Sequence, residues 1–309
     1  MLATLQQVMN LCEARCCAAG SFNTPNLEAV MAVIGAAEEL DVPVIIQHAQ
    51  VHESVMPLDV IGPIMVDMAS RAKVPVCVHL DHGETLEYLC RALDLGFTSI
   101  MYDGSVLPYE ENAANTKMAV SFAAQTGAGV EAELGCMGRR EEGDGSALAG
   151  KPDPDKIYTD PDLAAQFVAE TGIDALACSF GTTHGVYLTE PKLDFSVVER
   201  VRARTRIPVV MHGGSGVSDE DYRKAIRSGV RKINYYTYMA MAGGAGVASR
   251  LLRGCTAAAK GGALQYCYTP SEEVPATPLM YHDVVTWGMQ AMKADCRRAM
   301  KVFSMREDD

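Results

Sequence analysis

Short apolar runs alternate with segments of helical periodicity along most of this chain. The runs lie near residues 20, 45, 78, 100, 131, 177, 209 and 232. Regular alternation of this kind favours a parallel sheet with helices packed outside it. Eight units at this spacing in 309 residues predict an α/β fold, a (β/α)8 TIM barrel, as a single domain over residues 1–309.

The alternation stops between residues 136 and 159, which are rich in Gly, Asp, Pro and charged residues. A loop of this length within a compact domain is usually a functional lid or a linker. Because the same alternation resumes afterwards, we interpret 136–159 as a mobile active-site lid after the fifth strand. Residues 238–309 are expected to form a C-terminal helical part, with helices near 238–260 and 284–302.

Composition and charge limit the possible partners. A formal net charge of −12 is unfavourable for nucleic-acid binding, because a polyanion requires a basic face. Residues 1–17 lack an export signal and no run of about 20 apolar residues follows, so we expect a cytoplasmic protein that does not bind membranes. An anionic small molecule is compatible with this negative net charge, since backbone amides and one metal ion create a local positive site.

The ten cysteines are scattered through predicted helices and strands. Cys12, Cys16 and Cys17 are close enough in sequence to suggest a metal site. Their flanking residues are typical of a helix that packs into a core, which is the interpretation we prefer. Reduced thiols are therefore expected.

Polar residues follow the predicted strands at the ends where barrel enzymes carry their active sites. Three histidines, His82, His184 and His212, follow three different strands, and each precedes a glycine. Three neutral imidazoles around an open fourth position form a catalytic zinc site, in which the ion acts as a Lewis acid. An isolated histidine is more often a packed residue, but three at matching strand ends favour a metal site.

Six segments then carry a family resemblance: VHLDHG, VEAELGCMGRREE, FGTTHGVY, PKLDF, VMHGGSG and KINYYT. Together they resemble the successive motifs of the class II, zinc-dependent ketose-bisphosphate aldolases, which include fructose- and tagatose-bisphosphate aldolases. The resemblance implies an aldehyde-lyase that reversibly cleaves a ketose (bis)phosphate to dihydroxyacetone phosphate and an aldehyde through a zinc-stabilised enediolate. It also implies Zn²⁺ as cofactor, Na⁺ or K⁺ near the phosphate, and a homodimer or homotetramer.

The resemblance assigns roles residue by residue. His82, His184 and His212 are the implied zinc ligands, and Asp81 matches the acid/base for the hydroxyl next to the bond that breaks. A carboxylate that caps the following helix is the alternative for Asp81. Glu141, in the lid, matches the residue that moves a proton between dihydroxyacetone phosphate and its enediolate, and a solvated surface charge is its alternative.

Asp103 and Glu133 match the alternative metal position of the family, although two inward carboxylates on adjacent strands also suit plain hydrogen bonding. A further group matches the residues that hold the ketose-derived portion and its phosphate: Asn23, Gly185, Gly213, Gly214, Ser215, Asn234 and Thr237. Glycine amides beside a helix start suit a phosphate dianion. The alternative for Gly-Gly-Ser-Gly is a simple turn.

Several positions depart from the family pattern. Tyr236 replaces the Asp or Ala that usually precedes the matching threonine, and Ala49 replaces a serine that helps to hold substrate. Arg139 and Arg140 replace small residues before Glu141, where they offer contacts to a substrate anion. These departures predict an altered acceptor side of the pocket.

Two alternative functions follow. One is a zinc-dependent aldolase for a non-bisphosphate substrate, such as a sugar-acid phosphate or a ketose with a single phosphate. The other is a non-catalytic barrel that binds a sugar phosphate.

His79 shares a strand face with Asp81 by the two-residue alternation, and we expect it to be a packed residue that supports the site.

Overall fold

The computed structural model describes residues 1–135, 158–183, 191–251 and 280–306, and the backbone of 256–260 and 263–267. The first nine strands are β1 (Leu2–Ala3), β2 (Ala19–Asn23), β3 (Val44–Ala49), β4 (Val76–Gly83), β5 (Ser99–Tyr102), β6 (Gly129–Leu134), β7 (Ala175–Cys178), β8 (Val209–Met211) and β9 (Val230–Tyr235). Strands β2 to β9 pair in parallel, and β9 pairs back with β2, which closes an eight-stranded barrel. The predicted (β/α)8 fold is confirmed.

Ten α-helices lie in the described residues: α1 (Leu5–Arg15), α2 (Leu27–Leu40), α3 (Leu58–Arg71), α4 (Leu86–Asp94), α5 (Tyr109–Thr126), α6 (Pro161–Thr171), α7 (Phe195–Thr205), α8 (Asp219–Ser228), α9 (Thr237–Leu251) and α10 (Tyr281–Phe303). Local sequence sets their ends. The Thr4 hydroxyl accepts from the Gln7 amide while the Gln7 side chain accepts from the Thr4 amide, so the two form a capping box for α1. Gly127 ends α5 in the left-handed conformation.

Helix α1 closes the bottom of the barrel. Its buried residues Leu5, Val8 and Met9 form one apolar cluster with inward-facing strand residues such as Ile45 and Val210. The larger core lies between the outer faces of the strands and the surrounding helices. In the described residues the lower barrel is therefore filled, which leaves its upper end for a site.

Above helix α1 and its apolar cluster, the barrel interior is polar. Because strand side chains alternate between faces, residues two apart on one strand point into the same barrel. Four strands each contribute a buried polar pair in this way: Ser21 and Asn23 from β2, His79 and Asp81 from β4, Glu131 and Glu133 from β6, and Lys232 and Asn234 from β9. The upper member of each pair reaches the mouth of the barrel.

Two elements differ from the sequence expectation. Strand β1 was not expected, and its backbone pairs in parallel with β4. The helix expected near 238–260 ends at Leu251, and an antiparallel pair follows, β10 (Thr256–Lys260) with β11 (Ala263–Cys267). The C-terminal part over 238–309 is therefore helical in α9 and α10 but contains a β-hairpin as well.

Cys12 and Cys17 are buried, and Cys16 is exposed. In the described part of the chain none of them belongs to a group of side chains with metal-binding geometry. No described helix is both long and apolar enough to cross a membrane.

Candidate active site

Consecutive residues Asp81 and His82 both reach the barrel mouth because β4 is irregular at its end. A regular strand would turn them to opposite faces. The pairing register between β4 and β5 shifts between Leu80 and Gly83, and His82 has a φ of 46°. A non-glycine residue seldom adopts this left-handed conformation, which places strain at this position. The bulge thus presents a carboxylate and an imidazole side by side.

The Asp81 carboxylate is held by three side-chain amides. Its Oδ2 accepts hydrogen bonds from Nδ2 of Asn23 at 2.9 Å and from Nε2 of Gln47 at 3.1 Å. Its Oδ1 accepts from Nδ2 of Asn234 at 3.0 Å. Burial alone would raise the pKa of Asp81, but the neighbouring imidazoles, His82 foremost, and the Lys232 ammonium hold it far below its usual range. Asp81 is therefore an oriented, ionised carboxylate.

His82 and His212 turn one ring nitrogen each toward the other. Nε2 of His82 lies 3.1 Å from Nδ1 of His212. The opposite nitrogens contact carboxylates: Nδ1 of His82 lies 2.6 Å from Oδ2 of Asp103, and Nε2 of His212 lies 2.7 Å from Oε1 of Glu131. A carboxylate behind an imidazole fixes its tautomer and orientation, as is usual for metal-binding histidines.

Two groups of side chains in the described residues have metal-binding geometry, and His82 belongs to both. One contains Asp81, His82 and His212; the other contains His82, Asp103 and Glu133. Asp103 is also held by Ser105, whose hydroxyl donates to Oδ1 at 2.6 Å. Burial would raise the pKa of Asp103, but its hydrogen bond with His82 lowers it well below the usual range. The two groups are adjacent and share one histidine.

A buried ion pair supports His212 from below. Nζ of Lys232 lies 2.7 Å from Oε2 of Glu131, and both side chains are fully buried. Burial would raise the pKa of Glu131, but Lys232 lowers it to about 2. His79 completes this layer, with Nδ1 at 2.7 Å from Ser99 Oγ and Nε2 at 3.4 Å from Nζ of Lys232. Burial lowers the pKa of His79 to about 3, so it is neutral.

A cleft opens beside Asp81 and His82 at the barrel mouth. Its lining includes the residues expected to bind the ketose-derived portion and its phosphate: Asn23, Gly213, Gly214, Ser215, Asn234 and Thr237. The backbone of Gly213 has a φ of 62°, and a Cβ there would lie 2.5 Å from the Thr183 carbonyl oxygen. Only glycine fits this turn. Thr237 begins α9, so the first-turn amides of a helix lie at the same cleft.

The lining of the cleft also includes the two positions that depart from the family pattern. Ala49 and Tyr236 line it together with Val51 and His52. The rings of His52 and Tyr236 meet edge to face, with centroids 5.0 Å apart. Buried His48 lies behind this wall on β3, and burial lowers its pKa to about 4.

Some expected site residues lie outside the described residues, namely His184, Gly185, Glu141, Arg139 and Arg140. Most of the expected lid, residues 136–157, lies outside them as well. Conversely, Gln47 and Lys232 contribute side chains to the site and were not among the expected site residues. The two-residue alternation would have identified them, because each lies two residues before a mouth residue, on β3 or β9.

A closed (β/α)8 barrel with paired histidines and an ionised carboxylate at the carboxyl ends of its strands has the form of a barrel enzyme. The chain belongs to the family described as fructose-bisphosphate aldolase class-II, whose model matches residues 3–308. It is therefore a class II aldolase, an aldehyde-lyase.

Similar proteins agree with this family. The protein YdjI of Escherichia coli (strain K12) is 43% identical over 242 residues, which cover 78% of this chain and 85% of YdjI. The crystal structure of the YdjI aldolase superposes with a TM-score of 0.80 at 35% identity, covering 98% of this chain and 97% of that one. A fructose-bisphosphate aldolase of Staphylococcus aureus (strain Mu50 / ATCC 700699) is 40% identical over 71% of this chain and 76% of its own length.

A third relative is named for a different substrate. The 6-phospho-5-dehydro-2-deoxy-D-gluconate aldolase of Halalkalibacterium halodurans is 38% identical over 76% of this chain and 80% of its own length. Aldolases named for a ketose bisphosphate and for a phosphorylated sugar acid are therefore similar to this chain to nearly the same degree.

Proposed function

We propose that this aldolase is zinc-dependent and cleaves a phosphorylated ketose to dihydroxyacetone phosphate and an aldehyde. One observation carries the proposal: Nε2 of His82 and Nδ1 of His212 converge at 3.1 Å beside Asp81, while carboxylates occupy their opposite nitrogens. This arrangement suits a shared ligand of the two imidazoles. Further proposals are a phosphorylated sugar as the small-molecule partner, a homo-oligomer and a cytoplasmic location.

The donor set fits zinc. Two imidazole nitrogens on one tetrahedral zinc ion lie about 3.3 Å apart, given Zn–N bonds of about 2.05 Å. The 3.1 Å between the His82 and His212 nitrogens is close to that value. We propose His184 as the third ligand, and Asp103 with Glu133 as an alternative position that shares His82. When bound, zinc supplies a Lewis acid that polarises the substrate ketone.

Asp81 is the proposed acid/base. An ionised carboxylate has about four lone-pair positions, and three of those on Asp81 accept amide hydrogen bonds. The remaining position on Oδ1 faces His82, with 3.9 Å between Oδ1 and Nε2 of His82. That position is available to accept a proton from the substrate hydroxyl next to the bond that breaks.

The rest of the cleavage follows from this proton transfer. As the hydroxyl carbon becomes the aldehyde, the electron pair of the broken bond stays on the triose fragment. Glu141 is the proposed donor of the proton that this fragment then takes up. Gly213, Gly214, Ser215, Asn234 and Thr237 are proposed to hold the triose and its phosphate, and Asn23 holds Asp81 as well. A Na⁺ or K⁺ ion is proposed near the phosphate.

A phosphorylated sugar acid is the second candidate substrate. Ala49 and Tyr236 both line the cleft, so two departures from the family pattern lie at the proposed substrate site. The relative named for 6-phospho-5-dehydro-2-deoxy-D-gluconate favours the same candidate. A non-catalytic sugar-phosphate-binding barrel is disfavoured by the family membership.

Metal analysis tests the chemistry. We expect bound zinc in the purified protein, loss of cleavage on chelation, and restoration on adding zinc back. His82→Ala is expected to lose both zinc and activity. Cleavage that persists without metal, or a lysine adduct trapped by borohydride, would refute the zinc mechanism.

A substrate panel tests the specificity. The panel contains fructose and tagatose bisphosphates, ketoses with a single phosphate, and phosphorylated sugar acids. Release of dihydroxyacetone phosphate is followed with a coupled reductase. A clear preference for fructose bisphosphate would exclude the second candidate.

A further inference from the structure

Tyr236 lies between two cavities. One is the catalytic cleft beside Asp81 and His82. The other is a groove between the start of α2 and helices α9 and α10, lined largely by apolar side chains such as Met239, Val247 and Met289. Among the described residues, Tyr236 alone lines both cavities. Tyr236 is therefore part of the wall between them.

The position of the Tyr236 ring follows from the strand order. Tyr236 follows β9, His52 ends a short 3₁₀ turn after β3 (Gln50–His52), and β2 lies between these two strands. The edge-to-face contact, with centroids 5.0 Å apart and planes at 61°, therefore spans the end of β2. Aromatic pairs favour this geometry.

The backbone also holds Tyr236 in place. Its amide donates to Oγ of Ser215 at 3.2 Å, and its carbonyl accepts from the Ala240 amide in the first turn of α9. The residue is thus fixed at a helix start, and its ring is packed against His52. Because its backbone is hydrogen-bonded and its ring is packed, Tyr236 forms a rigid barrier between the cleft and the groove.

We propose that Tyr236 determines specificity by limiting the length and polarity of the aldehyde. This inference rests on the proposed function. The barrier confines the aldehyde-derived half of the substrate to the cleft, where His52 supplies a polar group beside Tyr236. Short, hydroxylated aldehydes fit this space. An aldehyde with an extended apolar chain is excluded from the groove that would otherwise accept it.

The test compares propanal and hexanal as acceptors for dihydroxyacetone phosphate in the synthetic direction. Each methylene buried in an apolar groove is worth about fourfold in binding. Tyr236→Ala is therefore expected to raise the hexanal-to-propanal ratio of kcat/KM at least ~10-fold over the wild type. Tyr236→Phe keeps the ring and is expected to keep the wild-type ratio. Tyr236→Val replaces the Ala variant if that variant fails to fold.

Val247→Ala is the matched control. Val247 lines the groove but not the cleft, so this variant enlarges the groove while the barrier remains. The hexanal-to-propanal ratio of kcat/KM in Val247→Ala is expected to equal that of the wild type. An equal rise in Val247→Ala, or an unchanged ratio in folded Tyr236→Ala and Tyr236→Val, overturns the inference.

A second readout separates this inference from the proposed function. Solvent hydrogen exchange into dihydroxyacetone phosphate, followed by proton NMR without aldehyde, reports on the donor half alone. If the wild type exchanges hydrogen into dihydroxyacetone phosphate but the Tyr236 variants keep the wild-type hexanal-to-propanal ratio, the inference about Tyr236 is wrong and the proposed function stands. Absence of both exchange and cleavage in the zinc-loaded wild type overturns the proposed function, and the inference with it.

Discussion

Lys232 and Glu131 form an ion pair within the barrel, with 2.7 Å between Nζ and Oε2 and no exposed side-chain surface on either residue. The other oxygen of Glu131 lies 2.7 Å from Nε2 of His212. The pair therefore lies directly behind a proposed metal ligand. Two consequences follow, one for folding stability and one for metal binding.

Lys232→Met is expected to destabilise the protein by about 3–5 kcal/mol, because it leaves the Glu131 charge buried without its partner. Urea unfolding of the metal-free protein measures the change. The control is Lys224→Met, which removes an exposed lysine that pairs with Glu220 at 3.0 Å. Exposed pairs contribute about 0–1 kcal/mol, so the control should unfold close to the wild type.

The double variant Lys232→Met with Glu131→Gln removes the stranded charge. It should recover part of the lost stability, because a neutral amide costs less to bury than an unpaired carboxylate. If Lys232→Met and Lys224→Met unfold at the same urea concentration, the buried pair contributes no more than a surface pair.

Glu131→Gln is expected to weaken zinc binding by about 10–100-fold, since carboxylates that orient metal-binding histidines have effects of this size. The variant keeps an acceptor near Nε2 of His212 but loses the charge that makes the imidazole more basic. Competition with a chromophoric chelator measures the affinity, on protein whose circular dichroism shows that it is folded.

Glu13→Gln provides the matched control for that experiment. Glu13 pairs with Arg231 at 2.9 Å and with Arg202, and it lies on α1, away from the site. The zinc affinity of Glu13→Gln should equal that of the wild-type protein. Equal affinities in all three proteins would mean that Glu131 does not support the metal ligand.

Asp81→Asn distinguishes an acid/base from a metal ligand. General acid–base catalysis contributes about 10²–10⁴-fold, so kcat should fall within or beyond that range. Zinc content should stay at the wild-type level, because the proposed ligands are imidazoles. Metal analysis and cleavage kinetics are made on one preparation. Loss of zinc in parallel with activity would instead make Asp81 a ligand, which its grouping with His82 and His212 also permits.

Much of this architecture is predictable from the sequence. The apolar runs predict all eight barrel strands, because a strand that is buried on both faces is apolar along most of its length. Helix starts such as Asn26, whose side chain accepts from the Ala29 amide at 2.8 Å, are equally local. The polar residues at strand ends predict where the site lies, because barrel strands present their carboxyl ends to one face.

Other features depend on the fold as a whole. The bulge that turns His82 beside Asp81 arises from the register between β4 and β5, which periodicity does not encode. The contact between His52 and Tyr236 depends on β2 lying between β3 and β9. Strand β10 lies within the helix expected near 238–260, since alanines favour helices but helix propensity is only a weak prior.

Gly213→Ala is expected to cost more than the usual penalty for a side chain in the left-handed conformation. That penalty is about 1–2 kcal/mol per residue. At Gly213 a Cβ also meets the Thr183 carbonyl oxygen at 2.5 Å, and a backbone atom has little freedom to move away. Gly127→Ala is the matched control, because Gly127 has a φ of 74° with no described atom within 4 Å of an added Cβ. Urea unfolding should therefore show a larger loss for Gly213→Ala than for Gly127→Ala. The KM for substrate should also rise only in the former, since Gly213 lines the cleft. Equal losses of stability with unchanged KM would show that the turn yields to the side chain and that the glycine is not needed for close packing.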